Sequence, residues 1–494
     1  MKRLSGADAA FLYMETPSSH MHVAGIGIYD PSTATEPLTR ERLMEVTRER
    51  LHLAPLFRER LATIPFGLHH PLWVDDPDYD LEYHIRSATL PAPGGPHELA
   101  AFAADQASRP LDRDRPLWEM VLIDGLEDGN VAVFSKTHHA AIDGVSGVDL
   151  TVALMDLTPD PPPPGPIPPW TPERVPTDLE RVAYAAASLA RQPLGFLRAS
   201  RALQRSAGEL LRRQAQPKPP DLRPPPAPFQ APRTSLNVSI TPHRSFAFTE
   251  LPLDDLKAIK NTAGGTVNDV VLAICAGTLR RWFDRRGESL AAPLVASVPV
   301  SVRTEEQKGE LGNRISFMLV SLATDVDDPA ARLATISAGT RQAKEQQRAI
   351  GADALQDWAE FAAPAVAARA ARLYSRMKVA DRHRPIYNLT ISNVPGPQMP
   401  LYSVGARLVA TYPMGPINEG AALNITVTSY LGRMMFGFHG CREVVDDPWF
   451  LATATDEAAA ELSAAVQAGA GAGAGATRVQ RVARQAATAS APSP

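Results

Sequence analysis

Cysteine is nearly absent from this sequence: two occur in 494 residues, Cys275 and Cys441. Two thiols exclude a disulfide framework and any metal site built mainly from thiolates. A single bridge is feasible, but reduced thiols in a cytosolic protein fit better. Long apolar runs are missing as well. No stretch of about 18 consecutive apolar residues occurs, so no helix is expected to span a bilayer. The opening MKRLSGADAAFLYMET has two basic residues but no signal-peptide core, because Asp8 interrupts it. A basic excess is lacking too. Fifty Lys and Arg against 54 Asp and Glu leave a net charge of -4, which argues against a dedicated nucleic-acid binder. A soluble or peripheral protein is expected, with no metal centre.

Proline is present in quantity and badly spread. Nineteen of the 46 prolines fall between Pro159 and Pro232. Runs such as PDPPPPGPIPPW and PKPPDLRPPPAPFQAP have few amide hydrogens to donate and hold extended paths, so they link rather than pack. Between them, 177–216 reads as helix, with Pro193 expected to kink or break it. The division predicted is an N-terminal subdomain 1–158, a Pro-rich linker with a basic amphipathic helix 159–233, a C-terminal subdomain 234–467, and an Ala/Gly-rich tail 468–494. The tail, with its AGAGAGA run, has little to bury and is expected to be disordered.

Both halves mix element types. VAGIGIYD (23–30), LWEMVLIDGL (117–126) and NVAVFSKTHH (130–139) have the β-branched and aromatic content of strands. Residues 39–51 and 97–108 have helical periodicity. In the second half, LDDLKAIKNTA and TVNDVVLAICAGTLRRWFDRR read as helices. PLVASVPVSVR, ISFMLVSLAT, YNLTISNVPG, ALNITVTSYL and RMMFGFHGC read as strands. The class predicted is α/β or α+β with two sheets.

Four of the twelve histidines are adjacent in pairs, His69–His70 and His138–His139. The first pair sits in a loop-like stretch, GLHHPLWVDDPDYD, with nothing following to orient an imidazole. The second closes a strand and is followed by AAIDGVSG. Side chains alternate faces along a strand, so His138 and His139 should point opposite ways. That geometry suits one imidazole in a cleft and one in the core rather than a shared metal. Asp143 and Gly144 follow in a tight turn, where glycine permits a left-handed backbone. The chemistry implied is a neutral histidine acting as general base on a hydroxyl.

KTHHAAIDGVSG carries the HHxxxDG pattern of the CoA-dependent acyltransferase superfamily that includes chloramphenicol acetyltransferase. More closely, the chain resembles the bacterial wax ester synthase/acyl-CoA:diacylglycerol acyltransferase family throughout both halves. The motifs are LSGADAAFLYMET, MHVAGIGIYD, RPLWEM (115–120), TVNDVVLA (266–273), VPVSVR (298–303), LGNRIS (311–316) and SNVPGP (392–397). The resemblance implies an α/β fold of two chloramphenicol-acetyltransferase-like subdomains, each a mixed sheet with helices, and an active site at their interface.

It also implies roles. His139 resembles the base that takes the acceptor alcohol's proton before direct attack on an acyl-CoA thioester, with no acyl-enzyme. His138, Asp143 and Gly144 resemble structural parts of the motif, with Arg303 the candidate partner of Asp143. Asn268 and Asp269 open a helix whose amides could bind an oxyanion or CoA phosphates; N-capping is the alternative. Pro116, Leu117 and Trp118 match a motif that reads either as substrate contact or as core packing, and Asn393 and Gly396 of SNVPGP read equally as turn-formers.

Acyl-CoA is then a substrate, no cofactor is expected, and the acceptor is diacylglycerol, with a long-chain alcohol, diol or amine as alternatives. Such amphiphilic substrates imply a cytoplasmic protein peripherally associated with the inner membrane face or with lipid inclusions. The linker helix is the candidate contact: Arg181 to Arg213 holds seven arginines against Glu209.

Overall fold

The computed structural model describes residues 2–142, 154–162, 165–190, 226–301, 315–350 and 364–489. The first half forms β1 (Lys2–Arg3), α1 (Gly6–Met14), β2 (His22–Asp30), α2 (Arg40–Arg50), β3 (Glu59–Ala62) and β4 (Leu72–Asp75). It continues with α3 (Leu81–His84), β5 (Ile85–Thr89), α4 (Pro96–Ala107), β6 (Trp118–Asp124) and β7 (Val131–His138). The second half begins with β8 (Arg244–Pro252), α5 (Leu253–Ala263), α6 (Val267–Arg285), β9 (Val295–Ser301), β10 (Ile315–Ser321), α7 (Pro329–Ile350) and α8 (Pro364–Arg376). Then come β11 (Leu389–Val394), β12 (Tyr402–Ser403), β13 (Ala406–Met414), β14 (Leu423–Tyr430), β15 (Arg433–Cys441) and α9 (Pro448–Ala489).

Two six-stranded mixed sheets carry the α/β fold. One has the order β12-β13-β2-β7-β6-β5, the other β10-β9-β11-β14-β15-β8. The first is antiparallel except for β5 beside β6; in the second, β11 runs parallel to both β9 and β14. A three-stranded sheet, β1-β4-β3, flanks them.

Sequence halves and sheets do not coincide. Strands β12 and β13 lie in the second half of the chain yet complete the first sheet, with Met414 opposite Ala24 and Arg407 opposite Asp30. The reason lies in the pattern of β13, where Ala406, Leu408, Ala410, Tyr412 and Met414 are all buried. That strand needs an apolar partner surface, and β2 supplies it.

The halves accordingly share an interior: Ile26, Trp118 and Phe134 pack in one cluster with Phe246, Phe248, Met414 and Met435. A second cluster surrounds α6, which is buried without a break from Asp269 to Leu279. A helix apolar on every side belongs inside a protein, which is where α6 lies.

Helix α9 runs on through the Ala/Gly run to Ala489. Its first turns are anchored by Leu451, Leu462 and Val466 in the core. Extending a formed helix is easier than nucleating one, alanine favours it, and no proline intervenes before Pro492. The linker forms a helix at 178–190, where Arg181 pairs with Asp178 and donates to Thr63 O at 2.7 Å. Its other arginines, from Arg191 to Arg213, lie outside the described residues.

A polar seam runs where the two halves meet. Arg244, buried, donates to Ser18 O at 2.5 Å, and Ser19 Oγ donates to Ile417 O at 2.8 Å. Four buried histidines line or adjoin it: His20, His22, His138 and His439. Burial and the nearby Arg244 hold His20 down to about 4 and His439 to about 3. Burial, then Lys136 and His138, holds His22 well below its ordinary value. Burial lowers His138 too, although Glu15 opposes that shift.

Unfolded imidazoles titrate near 6.5, whereas these stay neutral in the fold. Between pH 6.5 and about 5 the unfolded chain therefore binds more protons, and stability falls as pH falls. Each imidazole contributes up to about 1.4 kcal/mol per pH unit. The melting temperature should drop by several degrees from pH 7.5 to pH 5, above the carboxylate range; a flat profile in a thermal scan would show that the seam does not hold its histidines neutral.

Candidate active site

Helix α1 begins where Ser5 caps it. Ser5 Oγ accepts from the Asp8 N–H (3.1 Å) and donates to Asp8 Oδ2 (2.7 Å). That cap fixes the phase of a nine-residue helix and so the direction of Phe11. The Phe11 ring lies flat on the His139 imidazole, with centroids 4.0 Å apart and planes 6° from parallel. His139 is half-buried, just beyond the end of β7, and its backbone N–H donates to Met21 O at 2.9 Å. One ring face is thus set against carbon, and the backbone is tied to the loop that joins α1 to β2.

His138 faces the other way and is 1% exposed. The Ala140 N–H donates to its Nδ1 at 3.0 Å, so Nδ1 carries a lone pair and the proton of the neutral ring is on Nε2. That Nε2 stands 3.3 Å from Glu15 Oε2. Arg113 clamps the same carboxylate: its Nε donates at 2.9 Å, its Nη2 also reaches Glu15, and Nη2 donates to Leu12 O at 2.9 Å. Burial works against ionising Glu15, but His138 and Arg113 together outweigh it and hold the carboxyl below its usual range. The anion fixes the His138 tautomer, and the tautomer fixes the turn that presents His139.

The other expected residues divide sharply. Leu117 and Trp118 are each 1% exposed, so substrate contact is replaced by core packing. Trp118 stacks between Phe57 and His84, its indole N–H donates to Phe57 O at 2.9 Å, and Leu117 O accepts from the His138 N–H at 3.0 Å. Pro116, also buried, starts this segment. Asp269 is a capping residue rather than a ligand group: it accepts from the Thr266 N–H (2.8 Å) and from Thr340 Oγ1 (2.6 Å), leaving nothing to offer a substrate. Asn268 stays half-buried at the start of α6, and Asn393 Nδ2 approaches its Oδ1 at 3.4 Å. Two motifs 125 residues apart therefore meet. Gly396 makes a close approach, since a Cβ there would fall 2.2 Å from Ser429 O. Asp143, Gly144 and Arg303 lie outside the described residues.

Sequence reasoning missed Phe11, Glu15 and Arg113. Phe11 and Glu15 sit in LSGADAAFLYMET, which was read as a family marker without a role for either side chain. The pair His69–His70 also needs correction. Both are buried and oriented: Tyr13 Oη lies 2.6 Å from His70 Nδ1, and Ser188 Oγ lies 2.9 Å from His69 Nε2. His70 meets α1 through Tyr13 and His69 meets the linker helix through Ser188, partners too distant in sequence to foresee. Among the described residues no cluster of three or more His, Cys, Asp or Glu is arranged to hold a metal ion. What the arrangement can do is accept a proton at one half-exposed imidazole whose position is set from two sides.

Sequence profiles of known families match both halves. The profile described as "Wax ester synthase/diacylglycerol acyltransferase catalytic domain" covers residues 4–271, and that described as "WS/DGAT C-terminal domain" covers 311–463. A Mycobacterium tuberculosis protein assigned as a diacylglycerol O-acyltransferase is 39% identical over 463 residues, 94% of this chain and 90% of its own. Another from that organism, with the same assignment, is 37% identical over 89% of this chain and 93% of its own. Among solved structures, a wax ester synthase/diacylglycerol acyltransferase from Marinobacter aquaeolei superposes with a TM-score of 0.65 at 29% identity, covering 94% of this chain and all of that one. The starter condensation domain of rhizomide synthetase shares the fold alone, with a TM-score of 0.55 at 13% identity over 94% of each chain.

Charge on Glu15 can be tested without removing its side chain. Glu15→Gln should leave the melting temperature within a few degrees and lower kcat by about 10–100-fold, the worth of a charge-assisted hydrogen bond. KM should change little. Equal activity in the variant would mean that the carboxylate plays no part in presenting His139.

Proposed function

The chain belongs to the wax ester synthase/diacylglycerol acyltransferase family, an enzyme family whose substrates are an acyl-CoA and an acyl acceptor, and we propose that this member esterifies diacylglycerol with His139 as the base. The observation that carries the reading is the half-buried His139 ring, stacked on Phe11 just beyond the end of β7. In the proposed step a neutral His139 takes the proton of the acceptor hydroxyl. The oxygen attacks the thioester carbonyl carbon, the tetrahedral intermediate collapses, and the carbon–sulfur bond breaks. The imidazolium then returns its proton to the departing CoA thiolate, so the ring ends the cycle neutral.

No covalent acyl-enzyme is required, because base and acceptor suffice. His138 stays neutral throughout, with its Nε2 proton directed at Glu15. Diacylglycerol is favoured because the Mycobacterium tuberculosis relatives, at 37–39% identity, carry that assignment. The Marinobacter aquaeolei relative is named for wax esters as well, which keeps a long-chain alcohol as the acceptor to compare. Both substrates are amphiphiles, so we place the working protein in the cytoplasm, at the inner membrane face or the surface of lipid inclusions.

Purified protein given labelled palmitoyl-CoA with either diacylglycerol or hexadecanol separates the acceptors. Triacylglycerol should dominate, and His139→Ala should lower its formation at least about 100-fold, the lower end for loss of a general base. Product from hexadecanol alone would move the acceptor to alcohols. Activity within a few-fold of wild type in His139→Ala would remove the base.

A further inference from the structure

Helix α8 has three faces. Ala367 and Ala368 turn inward and pack on the cluster that contains Phe11, Leu12 and Ala140. On the outer side, Val366, Ala370, Leu373 and Met377 follow one another at spacings of four, three and four residues, which puts them in one line along the helix. Val366 is 65% exposed, Leu373 56% and Met377 47%. Beside that line, Arg369, Arg372 and Arg376 form a second, also exposed. Among the described residues none of the three has a carboxylate partner. Residues 364–386 hold six cations, these three with Lys378, Arg382 and Arg384, against Asp381 alone, a net of +5.

A turn from the other half of the chain meets the start of α8. In Pro65–Gly67, Gly67 abuts the first turn of α8, where a Cβ would stand 3.1 Å from that of Ala365. The turn thrusts Phe66 outward at 89% exposure, with a left-handed φ of 60° that is rare for a bulky residue, and Leu68 next to it is 41% exposed. An aromatic held out in water from a strained backbone, on a turn that meets the same helix as an exposed aliphatic line and edged by arginines without a carboxylate partner among the described residues, is an apolar surface with a positive border. That is the composition of a helix lying in the plane of a lipid interface.

We propose that α8 and the Phe66 turn dock this protein onto an anionic phospholipid bilayer, with Phe66, Leu68, Val366, Leu373 and Met377 entering the headgroup region and Arg369, Arg372 and Arg376 meeting lipid phosphates. The positive border selects a negatively charged surface over a second copy of this chain, which would bring the arginines of both copies together. The inference deepens the peripheral contact proposed above and assigns it to α8 instead of the linker arginines. The docked face lies one helix away from the catalytic imidazole, since α8 packs on α1 and α1 carries Phe11.

The full-length protein would be sedimented with vesicles of phosphatidylcholine alone or with 30 mol% phosphatidylglycerol at ~0.1 M salt. Wild type should bind the anionic vesicles and release them in ~1 M salt. Each arginine near such a surface is worth roughly fivefold in partition, so the triple variant Arg369→Gln, Arg372→Gln, Arg376→Gln should bind roughly 100-fold more weakly. Phe66→Ser with Leu373→Ser, both at exposed positions, should weaken binding while leaving the melting temperature nearly unchanged. Undiminished vesicle binding in either variant overturns the proposal, as does failure of wild type to bind. So does a shift from dimer to monomer in the variants without loss of vesicle binding, which would assign the face to self-association. Acyl transfer in detergent-dispersed substrate, measured in parallel, reports separately on the reaction: its survival in variants that no longer bind vesicles isolates docking from chemistry.

Discussion

The seven residues from Glu15 to Met21 do more than join α1 to β2. Glu15 faces His138, Met21 O takes the His139 N–H, Ser18 O takes Arg244, and Ser19 reaches Ile417. A short segment is thereby bonded to the histidine pair on one side and to the second half of the chain on the other. Its position depends on both halves being together, and the presentation of His139 depends on its position. Shifting one half relative to the other would pull on the same backbone that holds His139, so closure of the two halves and the placing of that imidazole are coupled through polar contacts of 2.5–3.3 Å.

This coupling tolerates no stray charge. The seam holds Arg244 among carbonyl oxygens and Lys136 between Gln106 O, Arg109 O and Glu119, both buried. With two cations already fixed in a low-dielectric space, a protonated imidazole there would lack both water and a counter-ion. His20, His22 and His439 therefore serve as neutral polar groups. His138 differs because Glu15 lies beside it, and even there burial prevails. Four histidines close to one another thus do different work from the half-exposed fifth, and exposure separates them more sharply than sequence does.

Sequence made the sheets legible because their strands are strongly β-branched and bounded by turns, and the HHxxxDG segment singled out His139 as the base proposed above. What it concealed was long-range. YSVGARLVATYPM is absent from the strands expected above, and nothing in it announces that β13 leaves its own half to pair with β2. Glu15 is invisible for the same reason, since a glutamate after a helix reads as solvated until His138 and Arg113, 98 residues away, close on it. The capping role of Asp269 was legible as an alternative, because Thr266 precedes it by the spacing of a capping box.

The position of α8 follows from the same economy of contacts. Its inner face offers only alanine to α1, and small side chains let two helices approach closely while burying little apolar area. Leu373 and Met377, which would bury far more, point away from the protein. Had the fold alone set this helix, the large residues would face α1 and the alanines would face water, since each buried leucine or methionine is worth about 1.5–3 kcal/mol. The reversed arrangement forgoes that stabilisation twice along one helix. A sequence that leaves its larger apolar side chains outside, in line and edged by arginines, suits the lipid surface proposed above, since the described residues provide no apolar partner for them.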